Sequence, residues 1–416
     1  MKKQQTHHFD VIVIGGGASG LMAAGRAAER GRRVLILEKN AQVGEKLKIT
    51  GGGRCNITNA EMDTRALLPH YGDAEQFLYS PFSQFGVKET FSFFEELKLP
   101  IVVQSRKRAF PETEKAPDVV RALERYLRKG KVTVRTNAKV TRFVRSDARI
   151  TGVVADGVTY TAESYILATG GLSHPETGST GDGFRYLAKL GHTVVKPTPT
   201  IVPLAVADAW VKSLAGTSIS FMKITFRGED GKKLVKKGKV LFTHFGLSGP
   251  LILNAAGAVG DMLHAGSVTA SIDVYPDTDE GSLERKVMAA FDANKNKMFK
   301  NVFSEIAPRG TTDALLTLLP AIDPMTEINS ITKEQRKAIV SLLKNLPITV
   351  TGLMGFDRAV VADGGIPLTE VDTRTMRSQK FENLFLTGDL LHITRPSGGY
   401  SLQLCWTTGF VAGSNA

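Results

Sequence analysis

Apolar residues fall into runs whose spacing changes along the chain, and each change marks a different kind of element. Phe9 to Ile14 reads Phe-Asp-Val-Ile-Val-Ile, a near-continuous apolar run that suits a strand buried on both faces. The Ala-rich stretch Leu21 to Glu29 predicts a helix, and Arg33 to Leu37 a second strand. Residues 74–98 read as helical, with Phe77, Phe82, Phe85, Phe91, Phe94 and Leu97 forming an aromatic stripe that belongs to a core rather than to a cofactor box. Ile101 to Ala109 and Phe110-Pro111 predict a hairpin, and Ala116 to Lys129 an amphipathic helix. Four short runs, Lys131–Arg135, Ala138–Arg145, Arg149–Ala155 and Val158–Glu163, predict a β meander. It feeds a buried strand, Tyr165 to Gly171, and then a helix from Phe184 to Leu190 that stops at Gly191.

From Thr193 the texture changes. Pro197, Pro199 and Pro203 bound a linker, 204–274 alternates in short β segments with Gly turns, and 282–345 shifts to helical spacing through Glu284–Phe291, Asp313–Leu319 and Lys333–Leu342. Ala359 to Ile366, Leu384 to Asp389 and a last helix begun near Pro396 return to the first texture. The expected fold class is therefore α/β: a Rossmann-like domain with a parallel central sheet and a β meander, plus an inserted β-barrel and helical substrate domain. The expected boundaries are 1–195, 196–349 (barrel about 196–275, helical about 276–345) and 350–416.

The chemistry concentrates where apolar runs open onto glycine. Gly15-Gly16-Gly17-Ala18-Ser19-Gly20 follows the first strand and opens the first helix, with Glu38 at the end of the second strand. In that context Gly15 makes the turn, Gly17 admits a pyrophosphate, Gly20 lets helix and strand pack, and Glu38 accepts from ribose hydroxyls. The helix amides and macrodipole favour the phosphates. The motif implies a dinucleotide without separating FAD from NAD. Gly51-Gly52-Gly53-Arg54-Cys55-Asn56, preceded by Lys46 and Lys48, adds backbone freedom and positive charge. Thr169-Gly170-Gly171 sits at a strand's carboxyl end, and the strand at Val140 offers main-chain hydrogen bonds to an adenine. Gly388-Asp389 places a carboxylate where many flavoproteins hold a ribityl hydroxyl. Gly398-Gly399-Tyr400 opens a helix that aims positive potential at a reactive ring, with Arg395 as a candidate catalytic helper. The alternative for Arg395 is a surface residue ahead of Pro396. No second G-x-G-x-x-G in a strand-helix context serves a nicotinamide nucleotide.

Composition changes the picture in two places. The net charge of +12 favours acidic partners or nucleic acid, but its sources are scattered through Arg106-Lys107-Arg108, Arg121–Lys131 and a hairpin from Lys232-Lys233 to Lys239. With no interleaved stacking aromatics, these read as solvated surface and nucleic acid is set aside as a partner. Two cysteines, Cys55 and Cys405, provide no disulfide scaffold, and no metal site is expected. Cys55 reads as packing within the glycine loop. His174 and His244 are candidates for proton transfer, with a structural role as the plainer alternative. Met1 to His8 has no apolar leader, and Leu251 to Gly260 is too short to span a membrane, so the expectation is a cytoplasmic, unanchored protein.

Taken together, Gly15–Gly20, Ile49–Asn59, Leu167–Gly183, Phe242–Pro250 and Gly388–Gly413 resemble the HI0933-like flavoprotein family, a branch of the glutathione-reductase-like two-dinucleotide-binding flavoproteins. The resemblance implies an FAD-binding domain built from both ends of the chain. It carries Gly15, Gly17, Ser19, Gly20, Glu38 and Lys39 to the ADP half. It carries Gly52, Gly53, Arg54, Cys55, Asn56, Thr169, Gly170, Gly171, Asp389, Gly398, Gly399 and Tyr400 towards pyrophosphate, ribityl and flavin. Ala18, Lys46, Val140 and Gly388 complete the cofactor-binding candidates. The activity implied is an FAD-dependent oxidoreductase moving a hydride through flavin N5 to or from a small organic substrate, with NAD(P)H left open as a transient donor. Two alternatives stand beside it: a flavin-dependent RNA-modifying enzyme, and a non-catalytic redox sensor. Many relatives carry an Asp-Val-Asp-Gly-like stretch where this chain has His392 to Ser397, so the resemblance by itself names no substrate.

Overall fold

The computed structural model describes residues 7–416, and contacts divide them into two units, 7–198 with 360–416, and 199–359. In the first unit, β1 (His7–Ile14), whose Val11 to Ile14 are buried, leads into α1 (Ala18–Glu29) and then β2 (Val34–Leu37). A helix α2 (Ala116–Lys129) precedes β3 (Thr133–Arg135), and β4 (Val140–Ser146), β5 (Arg149–Ala155) and β6 (Val158–Leu167) follow. Their order in the sheet is β3-β2-β1-β6-β5-β4. Residues 133–135, expected to open the meander, instead pair in parallel with β2, a placement open to a strand that arrives through a helical crossover. The meander thus has three strands. Its last one does not stop at Glu163: β6 pairs with β5 antiparallel through Tyr160 and with β1 in parallel up to Leu167, so the central sheet is mixed.

The helix expected over 74–98 is two, Glu75–Gln84 and Val87–Glu96. Phe85 between them is extended, and the Glu89 carboxylate accepts the Gly86 N–H at 2.9 Å, which restarts the helix. Thr58–Asn59, Ile101–Gln104 and Arg108–Pro111 form a small separate sheet. The helix α3 (Asp182–Lys189) ends this part.

The second unit is a closed barrel with helices, sharing one core. Its strands are β7 (Leu204–Val206), β8 (Ser218–Gly228), β9 (Lys233–Thr243), β10 (Gly246–Ser248), β11 (Val268–Asp273) and β12 (Leu346–Leu353). The order β7-β10-β9-β8-β11-β12 closes when β12 pairs with β7. Two expectations change here. Residues 250–265 are not β but α4 (Pro250–Ala265), begun by Pro at its first turn and burying Leu251, Ile252, Ala255, Ala256, Val259 and Met262 at helical spacing. The barrel also does not end at 275: its sixth strand follows the helices and runs to Leu353, past the expected return at 350. Those helices are Glu280–Ala293, Phe299–Ile306, Thr312–Leu316 and Lys333–Lys344, the last opened by a Thr332/Gln335 capping box.

The return supplies β13 (Leu384–Leu386), parallel to β6 with Leu384 opposite Tyr165 and Leu386 opposite Leu167. The chain then forms α5 (Tyr400–Asn415), which packs on α1 through glycine. A Cβ at Gly409 would stand 2.4 Å from the Ser19 carbonyl oxygen, and one at Gly413 2.3 Å from that of Ala23. This contact sets the start of α1 against the C-terminal segment.

Candidate functional site

The loop between β1 and α1 is shaped by contacts only glycine tolerates. Gly15 has φ +105°, and a Cβ there would lie 2.5 Å from the Ala168 carbonyl oxygen. At Gly20 a Cβ would meet the Gly15 carbonyl oxygen at 2.0 Å. Gly17 faces open space, with nothing within 4 Å of a Cβ position. Glu38, buried at the end of β2, accepts the Gly16 N–H at 2.6 Å and the Asn40 N–H at 2.8 Å. The carboxylate expected to meet a ribose therefore also braces the loop. The first turn of α1, including Ala18 and Ser19, has no acidic side chain and no side-chain cap, which leaves its leading amides for a ligand, while the nearby Glu38 carboxylate is engaged by the Gly16 N–H.

The Gly44 N–H donates to the Gly16 carbonyl at 2.9 Å, which seats the short helix Glu45–Ile49 beside the loop and delivers the chain to Gly52 and Gly53. Both have positive φ, and both face open space. Cys55 is fully buried, and burial pushes its thiol up to about 12 against a small opposing hydrogen bond from Thr50. The Asn56 amide oxygen is buried without a partner. Arg54 turns elsewhere: its guanidinium lies 4.3 Å over the Phe110 ring and reaches Gln104 at 3.3 Å and Glu114 at 3.4 Å.

At the end of β6, the Thr169 hydroxyl is another buried oxygen without a partner, and Gly170 has φ +70°. Gly171 accepts from the Gly181 N–H at 3.2 Å. Lys39, expected in the ADP half, is engaged: its ammonium donates to Thr180 and Asp182, each at 2.6 Å. Burial opposes ionisation of Asp182, but the bonds from Lys39 and Thr180 outweigh it and hold the carboxyl below its ordinary range. This tie between the second strand's end and the 177–182 loop was not readable from spacing. The Val140 carbonyl takes the Tyr186 hydroxyl.

The return completes the arrangement. Thr387 and Ser19 share a hydroxyl hydrogen bond at 3.1 Å, and the Gly388 N–H donates to Thr408 at 3.0 Å. Asp389 pairs with Arg395 on one oxygen and lies 3.7 Å from the Lys46 ammonium on the other. Burial opposes its ionisation, yet these two cations keep its carboxyl low. Arg395 is no surface residue: it is 4% exposed, donates to Ser401 at 2.9 Å and to the Ile393 carbonyl, and its fork is spent on holding the start of α5 to Asp389. Gly398 and Gly399 both have positive φ, and a Cβ at Gly399 would lie 2.2 Å from the Thr58 carbonyl carbon. Tyr400 is buried beside His70 and Tyr71, and its carbonyl accepts the Tyr71 hydroxyl at 2.9 Å. His174 pairs with Glu176 at 2.7 Å, while His244 lies in the other unit against Phe245.

Three glycines open to space, an uncapped helix start and two buried oxygens without partners fit an extended, doubly phosphorylated cofactor. This Rossmann-like sheet with its inserted barrel and glycine-lined cradle is consistent with an FAD-dependent oxidoreductase. The chain belongs to the HI0933-like family, whose "HI0933-like protein Rossmann domain" matches residues 9–415. A 3-dehydro-bile acid delta(4,6)-reductase of Clostridium scindens is 30% identical over 97% of this chain and 98% of its own. The ribosomal RNA dihydrouridine synthase of Escherichia coli strain K12 is 27% identical over 97% of this chain and 96% of its own. In fold, a 3-ketosteroid-delta4-(5alpha)-dehydrogenase from Rhodococcus jostii RHA1 superposes with a TM-score of 0.55 at 16% identity, covering 100% of this chain and 98% of that one. Among the described residues no helix is long and apolar enough to cross a membrane.

Proposed function

We propose that this oxidoreductase saturates a carbon–carbon double bond conjugated to a carbonyl, and that its acceptor is a uracil ring carried in RNA. One observation carries the reaction: two relatives matched along almost the whole chain bear names that both denote saturation of a ring double bond, one in a bile acid and one in uridine. The +12 net charge, scattered along the sequence, is gathered in part on one barrel hairpin by Lys223, Arg227, Lys233, Lys237 and Lys239, and this supports a polyanionic acceptor against the expectation from spacing. FAD, when bound and reduced by its donor, would supply a hydride from its N5, with the second hydrogen arriving as a proton from solvent. Gly17, Gly52, Gly53 and the start of α1 hold the phosphates in this reading, and Asp389 receives a ribityl hydroxyl. Gly398, Gly399 and Tyr400, at the start of α5, aim positive potential at the ring, where negative charge accumulates on reduction. Arg395 positions Asp389 and this helix start. NAD(P)H is the proposed donor, visiting without a Rossmann half of its own, and the 199–359 unit is the proposed selector of substrate.

A small steroid-like dienone is the second reading, favoured by the 30% identical relative. The FAD-loaded protein is incubated anaerobically with NADH or NADPH and either bacterial ribosomal RNA or a steroid dienone. The expected result is uridine gaining two hydrogens in digested RNA, seen by mass spectrometry, with the dienone untouched. Turnover of the dienone alone would replace the RNA reading with the second one, and no turnover of either would return the chain to the redox-sensor alternative.

A further inference from the structure

The outer wall of the barrel carries a feature that the cofactor cradle does not use. Along β8 and β9 the register runs Lys223 opposite Lys237, Thr225 opposite Val235 and Arg227 opposite Lys233. The alternate positions Met222, Ile224 and Phe226 are buried in the barrel, so the first set faces outward. Between Ile219 and Met222 the register slips, leaving Ser220 and Phe221 opposite Lys239 alone. At this bulge Phe221 has φ +59° and is 80% exposed. A bulky apolar side chain in the left-handed region, aimed at water, is unfavourable on both counts, which marks the position as one with a use.

Its neighbours say what that use is. Lys233 and Lys239 have no carboxylate partner among the described residues, and Arg227 donates only to the Ser271 hydroxyl, at 3.0 Å. Against the outward cations stand Asp273, already shared by Lys223 and Lys344, and the exposed Asp277 beside Lys237. Lys223, Arg227, Lys233 and Lys344 line a groove of about 290 Å³ on this wall, against the two carboxylates of Asp273 and Glu280. The wall therefore presents one aromatic face for stacking, with Lys237 and Lys239 two residues, roughly 7 Å, apart on β9, and with Lys223 and Arg227 on β8 and Lys233 and Lys237 on β9 each four residues, roughly 13 Å, apart. A second copy of the chain would bring like charges together, and a single Phe offers too little apolar area for a lipid surface. A base stacked on Phe221 with its phosphodiesters along Lys239, Lys233 and Arg227 gives a partner to the aromatic face and to the cations that lack a carboxylate.

We infer that the Phe221 bulge and the β8–β9 cation row form an RNA-docking surface on the 199–359 unit. The inference rests on the RNA reading above, and its test separates the two. Full-length, FAD-loaded protein is titrated against labelled bacterial ribosomal RNA over a series of salt concentrations. Phe221→Ala should weaken binding roughly five- to one-hundred-fold, and Phe221→Tyr should restore it. Lys237→Glu with Lys239→Glu should weaken binding at least about tenfold and lower the salt slope by about two. Lys295→Glu with Lys297→Glu, the same charge change on the helical part, should leave it within about twofold. Flavin content and melting temperature confirm that each variant is folded. If wild-type protein retains RNA and all variants retain it equally, this surface is discarded while the RNA reading stands. If wild-type protein retains none at low salt, the reading itself falls and the surface with it. Sedimentation that shows Phe221→Ala dissolving a dimer, with RNA affinity unchanged, overturns the inference in favour of a self-interface.

Discussion

At the scale of single residues, the cradle is made as much by groups that are held still as by groups that are open. Gly17 has room for a ligand because Gly15 and Gly20 have none, and Glu38 is placed by the amides it accepts. Cys55 shows how burial decides chemistry. Burial pushes both Cys55 and Cys405 up to about 12, so neither is a thiolate near neutral pH. A thiol-reactive dye at about pH 8 should therefore find Cys55 unreactive and the half-buried Cys405 slow in the folded protein, and titrate two thiols after denaturation; a fast-reacting Cys55 in the native state would contradict its burial. The same shift has a sign for stability. The native thiols stay protonated while the unfolded ones ionise, so their contribution is fully present below the ordinary thiol value near 9 and is lost as pH rises from about 9 to about 12. Spacing alone allows Arg395 to be either a surface residue or a helper. Its burial against Asp389, Ile393 and Ser401 makes it a brace, and that required knowing what lay across from it.

At the scale of elements, α1 and α5 are coupled by two glycines over two carbonyls. Gly409→Ala should cost about 1–3 kcal/mol, read as a lower melting temperature, because the helices must separate to admit the methyl group. It should also weaken FAD binding, since the displaced element is the one whose N-terminus opens the cradle. A melting temperature equal to that of wild type would mean the helices do not approach as described. Periodicity made α1, α2 and β1 legible, because each has a one-sided or fully buried pattern distinct from its neighbours. It failed for α4, whose Leu, Ile, Ala and Gly are apolar on nearly every side and so carry little periodic contrast. It also failed to separate β3 from the meander, since three exposed residues say nothing of which strand they pair with.

At the scale of the whole molecule, the cofactor candidates among the glycine loops fall within residues 7–198 and 360–416, and the barrel with its helices has a core of its own. Added FAD should therefore raise the melting of the first unit alone, by about 2.7 kcal/mol of added stability at a hundredfold excess over Kd. Calorimetry resolves this as one transition moving and the other staying; movement of both would show that the cofactor binds beyond the cradle described here.

The sequence alone determined the glycine turn, the helix that follows it and Glu38 twenty-odd residues on, because these depend on local backbone freedom and short-range periodicity. It also carried the family, through motifs that are each continuous in the chain. Only the tertiary structure decided that β12 closes the barrel from beyond the helices, that Lys39 and Arg395 are tied to Asp182 and Asp389, and that Phe221 faces water. Each of these is a contact between residues distant in sequence, or an exposure set by a strand partner. Composition and periodicity report a residue's own preference, whereas partners are chosen by the packing of the folded chain.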